Sequence, residues 1–105
     1  MSANTKVSTP IIKKFDGESY HLWAFKMKCY LMAKSLWEFV DPDPTTGTTT
    51  VTPENVDSFR KAHAALVLHL EDNQLIHVIS LEYAREVWVA LAIMHHTSSM
   101  SSKLN

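Results

Sequence analysis

Apolar residues recur along this chain mostly at intervals of three and four, the spacing that puts them on one face of a helix. Tyr20, Trp23, Ala24, Met27, Tyr30 and Leu31 form one such stripe. It predicts a first helix from Tyr20 to Lys34, about 22 Å long, with Ser19 as its N-cap after the Asp16-Gly17 turn. Leu22, Phe25, Cys29 and Met32 lie off that stripe, so this helix has a second apolar face that needs something to pack on. The run "SLWEFVDPDP" reads as a short helical turn stopped by Pro42 and Pro44, because proline disfavours helical geometry in the residue before it. Asp41 to Thr52 is then a long connection of turn formers and threonines, with room for a short hairpin. Thr52-Pro53-Glu54 has the chemistry of a helix start. Val56, Phe59, Ala62, His63, Leu66, Val67 and Leu70 carry that helix from Pro53 to Leu70. Asp72 can cap a short helix holding Leu75, Ile76 and Ile79. Ala84, Val87, Trp88, Leu91 and Met94 define a last long helix over Glu82 to His95, widened by Val89 and Ile93 off its main stripe.

Both glycines and all four prolines fall between these runs, as expected where helices are delimited. The pattern predicts an all-α fold, a compact bundle of about five helices. Residues 1–10 read as a flexible tail, 11–97 as the helical domain, and 98–105 as a linker or the start of a further helix.

Composition narrows the function more than it names one. Ten basic against 11 acidic residues give a net charge of -1, which offers no footprint for neutralising phosphates. A single cysteine, Cys29, cannot form an internal disulfide. The polar N-terminus has no signal-peptide core, and "VWVALAIM" is too short to span a bilayer. A cytoplasmic protein without membrane contact is the expectation.

Six histidines raise the question of a metal, yet His21, His63, His69, His77, His95 and His96 contain no pair four residues apart and no HExxH. They read as surface or half-buried residues, with His63 hydrogen-bonded inside. Two glycines leave no phosphate-cradling loop. No glycine-rich oxyanion turn accompanies Cys29 or the serines near Ser98. Catalysis, a cofactor and a metal are not expected.

The residues also carry a resemblance. Phe15, Gly17, Tyr20, Trp23, Leu36, Trp37 and Asp41 stand in the order and spacing of the opening of copia-type retrotransposon Gag polyproteins. Phe59 and Ala62, then Leu70, Asp72 and Leu75, then Ala84, Arg85, Glu86, Trp88 and Leu91 continue the similarity over nearly the whole chain. His63, Phe59 and Tyr83 depart from the family's usual Asp, Trp and Thr; the last departure suggests a helix starting earlier, from Ser80. The resemblance implies a fold like the N-terminal lobe of a retroviral capsid, self-associating into a shell or virus-like particle. It also implies RNA binding only through regions absent from this chain, which lacks a zinc knuckle and a C-terminal capsid lobe. Leu22, Phe25, Lys26 and Cys29 on the first helix, with the tip of the last, are the expected self-association surfaces. The alternative is a domesticated Gag lobe serving as an adaptor for a host peptide or protein, with the Ile11-Ile12 segment as candidate occupant of a groove between helices.

Overall fold

The spacing of apolar residues is realised as helix in the computed structural model, which describes residues 12–104 and the side chains up to His95. Its order is α1 (Tyr20–Ala33), a 3-10 turn (Trp37–Phe39), α2 (Val56–Val67), α3 (Asp72–Leu75) and α4 (Ala84–Leu104). Among the described residues the fold is all-α, with four α-helices; the expected count of about five is reached there only by including the 3-10 turn. The expected tail at residues 1–10, and Ile11, lie outside the described residues.

The core is built from the predicted stripes. α1 buries Tyr20, Trp23, Met27 and Leu31, and α2 buries Phe59, Ala62 and Leu66. Ala84, Val87 and Leu91 of α4 complete the cluster, filled from the connections by Phe15, Phe39, Val40, Leu70 and Val78. α4 packs against both α1 and α2, so it joins the two halves of the chain. One extended contact closes the other side: Phe15 N–H donates to the His69 carbonyl at 2.8 Å, and Glu71 N–H donates to the Phe15 carbonyl at 2.9 Å.

Helix boundaries differ from expectation where side chains do other work. Ser19 precedes α1, but at φ 56°, and its hydroxyl makes no capping bond. The turn before it is held instead by Asp16, whose Oδ1 accepts Glu18 N–H at 3.0 Å. α1 closes in a Schellman arrangement: Leu36 N–H donates to the Leu31 carbonyl at 2.7 Å and Ser35 N–H to the Met32 carbonyl at 3.0 Å. Ser35 takes the left-handed position, φ 60°, that glycine usually holds.

α2 starts at Val56, three residues after Pro53. Asn55 spends its amide on the preceding loop, accepting Thr52 N–H at 2.7 Å and donating to the Thr50 carbonyl at 2.9 Å. Its last expected turn unwinds after Val67 into tighter bonds, His69 N–H to Leu66 and Leu70 N–H to Val67. Glu71, not Asp72, precedes α3, and Ile76 and Ile79 beyond it are exposed. α4 begins at Ala84, later than Glu82 or Ser80, because Glu86 Oε1 accepts Tyr83 N–H at 3.3 Å and so fixes Tyr83 as the capping position. The same helix runs on through 98–104, the stretch read as a linker or the start of a further helix.

The long connection contains no hairpin. Arg85 holds it from α4: Nε donates to the Asp41 carbonyl at 2.9 Å, Nη1 to Thr49 at 3.3 Å and Nη2 to Glu38 at 3.0 Å. Within the loop Asp41 and Asp43 accept backbone bonds from Asp43 and Thr45. At Gly47 an added Cβ would meet the Asp41 carbonyl oxygen at 1.9 Å, so only glycine lets the loop fold back this closely.

Candidate functional site

The aromatic residues that mark this sequence converge in the interior. Phe15 stacks on Trp23 at 5.0 Å and meets Tyr20 edge-on at 5.7 Å. Trp23 stacks on Trp88 at 6.2 Å, and Trp88 meets Trp37 edge-on at 5.2 Å. Phe59 packs edge-on against Phe39 at 4.9 Å. Leu91 is fully buried, while Leu36 and Leu75 are half-buried against the same core. Gly17 belongs with them for a backbone reason: its φ is +106°, and an added Cβ would lie 3.0 Å from Gln74 Nε2.

His95 is the residue whose role the sequence left unassigned. It stands four residues after Leu91 and seven after Trp88, on the buried side of α4, and packs edge-on to Phe15 at 4.8 Å. Its Nε2 is 2.7 Å from Gln74 Oε1, the one buried polar side chain of the described core. With the Gln74 amide oxygen placed toward the ring, this contact calls for the Nε2–H tautomer of a neutral His95. Burial, with the neighbouring His77 second, holds the His95 pKa below its ordinary value. His63 is hydrogen-bonded as expected, with Nε2 3.0 Å from the Leu81 carbonyl. Among the described residues no three His, Cys, Asp or Glu side chains gather as a metal site.

What remains outward is apolar. Leu22, Phe25 and Met32 are 57%, 66% and 56% exposed, and Cys29 is exposed between them. Their spacing of three, four and three residues draws a straight seam along α1, the second apolar face of the sequence. Lys26 and Lys28 flank it, and α1 has no acidic residue. Three of the four residues singled out for self-association, Leu22, Phe25 and Cys29, therefore lie on this seam, with Lys26 beside it. The tip of α4 beyond His95 lies outside the described side chains.

A second apolar surface was only partly visible beforehand. Val89 and Ile93, the residues that widen α4, form one wall of a groove of about 740 Å³. Thr49–Val51 from the Arg85-held loop form the other, and Phe59, Leu81 and Tyr83 close it between them. The loop wall could not be read from local spacing, because Arg85 brings it in from more than thirty residues away. Ile12 packs elsewhere, half-buried against the core and lining a smaller cleft with Phe15, Leu22 and Trp23.

The family described as gag-polypeptide of LTR copia-type matches residues 27–105. A curated relative, a retrovirus-related Pol polyprotein from transposon TNT 1-94 of Nicotiana tabacum, is 26% identical over 94 residues. The match covers 89% of this chain, which spans 7% of that polyprotein's length. No solved structure matches the chain.

Proposed function

Because the chain belongs to the gag-polypeptide family of LTR copia-type elements, we propose that it is a structural capsid-like domain that self-associates into a shell and performs no catalytic step. One observation carries the reading: α1 buries a full apolar stripe inward and still presents a second one, Leu22, Phe25, Cys29 and Met32, to solvent. Contiguous exposed apolar surface marks an association site.

Magnitudes set the expected strength. Fully burying a large apolar side chain contributes about 1.5–3 kcal/mol, and these side chains are already partly covered. The gross gain of one contact is therefore a few kcal/mol, against roughly 4–15 kcal/mol for the lost freedom of two molecules. A single contact is weak; a closed ring or lattice, in which each copy is held at several points, is stable by effective concentration. We assign RNA contact to other regions of such a polyprotein, since a net charge of -1 gives this one no overall excess of positive charge for phosphates. The working location is the cytoplasm; no helix among the described residues is long and apolar enough to cross a membrane.

Light scattering over a concentration series tests the reading. The average mass should climb toward millimolar concentration and fall back to the monomer value in Phe25→Asp, with helicity unchanged. A wild-type chain that stays strictly monomeric at millimolar concentration, and particles indifferent to Leu22→Ser and Phe25→Asp, would overturn it.

A further inference from the structure

The geometry points to a head-to-tail contact in which the α1 seam of one copy docks into the α4 groove of a second copy. It rests on the self-associating reading and assigns that reading its two partner surfaces.

Three observations favour this occupant. First, the two surfaces are separate: no α1 residue lines the groove. At about 100° per residue, Val89 and Ile93 lie about 100–140° around α4 from Trp88, the residue that meets α1 through Trp23. One copy can therefore offer its seam and its groove at once.

Second, the chemistry of the two surfaces matches. The seam is a single apolar ridge, 22-25-29-32, of the kind one helix lays into a groove, and the groove has apolar walls on both sides.

Third, charge decides against the simpler symmetric pairing of seam on seam. α1 carries Lys26 and Lys28 and no acid, and the cleft beside Leu22 adds Lys13 and Lys14 against Asp16 and Glu18, so a two-fold contact between α1 helices gathers more lysines than carboxylates. At the groove the exposed Glu86 is part of the lining, while Glu82 lines a separate small cleft with Arg60 and His63. Arg85, the cation there, points its guanidinium at loop carbonyls. Among the described residues the one salt bridge joins Arg60 to Asp57, so neither Lys26 nor Glu86 is ion-paired among them; Lys28 lies over the Trp37 ring at 5.1 Å. Lys against Glu across copies favours the unlike pairing, and like against like opposes the other. Unlike surfaces generate a ring or an open filament rather than a closed dimer.

Mixing two variants of the full chain tests this. Phe25→Asp spoils the seam and keeps the groove; Ile93→Asp spoils the groove and keeps the seam. Circular dichroism first confirms that each is folded; Leu22→Asp and Val89→Asp are the substitutes if either is not.

Each variant alone should remain at the monomer mass where wild type grows. At millimolar concentration their equimolar mixture should rise above that mass and level off at no more than twice it, as a one-to-one pair with one intact contact. Wild type that associates while the mixture stays monomeric, or Ile93→Asp that associates alone as well as wild type, would overturn the docking and leave self-association standing. Wild type that never associates would overturn both. Titration of a host protein that binds the groove of wild type and blocks no self-association would also sink the assignment of a second copy as occupant.

Discussion

Replacing Arg85 separates the long loop from the helix that holds it, and the size of the effect follows from the three bonds. A hydrogen bond to a charged donor contributes about 1.5–3 kcal/mol when desolvated. Only the Nε bond to Asp41, at 2.9 Å and part-buried, earns that range; the Thr49 bond is long at 3.3 Å and the Glu38 bond is exposed. Counting the last two at roughly 0.5 kcal/mol each, Arg85→Ala should cost about 2.5–4 kcal/mol. For a domain of this length that is a fall in Tm of roughly 10–30 °C, read by calorimetry and by urea unfolding. Arg85→Lys separates fork geometry from charge. A lysine keeps the positive charge but not the planar fork that reaches three carbonyls, so it should recover less than half the loss. Hydrogen exchange should meanwhile speed up at Thr49–Val51 in both variants, since these residues then lose their tether. A lysine variant as stable as wild type, or an alanine variant within 0.5 kcal/mol of it, would refute the account of the loop.

Other substitutions probe the remaining backbone and core features. Ser35→Gly should stabilise the protein by about 0.5–1 kcal/mol, because it removes the strain of a left-handed serine at the end of α1; urea midpoints that fall instead would contradict the cap. Gly17→Ala should cost about 1–3 kcal/mol, and Gly17→Ala with Gln74→Ala should not restore wild-type stability, because the φ of +106° stays strained after the crowding is gone. Leu31→Ala, at a fully buried position, should cost about 2–5 kcal/mol without changing the concentration dependence of association per folded molecule. His95 gives a pH dependence. Its folded pKa lies below the ordinary value of about 6.5, so the unfolded chain binds the proton more readily. Its contribution is present above about pH 6.5 and is lost as pH falls through the lowered folded value. The pH slope of stability between 7.5 and 5 should be shallower in His95→Gln than in wild type; equal slopes would assign the dependence elsewhere.

The helices were legible because each buried stripe is local: Tyr20, Trp23, Met27 and Leu31 announce their shared face by spacing alone. The ends were less legible, because capping residues choose between partners. Asn55 turns its amide to the loop, and Ser19 and Ser35 accept left-handed geometry that their side chains do not advertise. The α1 seam was visible as apolar residues with no place on the main stripe. Of the groove, only Val89 and Ile93 were visible, since Thr49–Val51 arrive through Arg85. His95 shows the same limit: its position four residues from Leu91 was a usable sign of burial, but Gln74 and Phe15 reach it across the fold.

The two-faced character of α1 has a consequence during synthesis. The side chains that complete the cover of its inner stripe, Trp88 on Trp23 and His95 on Tyr20, are made about seventy residues after it; at ~5–20 residues per second that leaves several seconds in which Phe15 covers the inner face only in part. Neighbouring nascent chains on one message meet with the outer stripe open and the inner one half-covered, so the order of translation itself sets a race between proper closure and premature clumping, and slowing elongation should tilt it toward the clump.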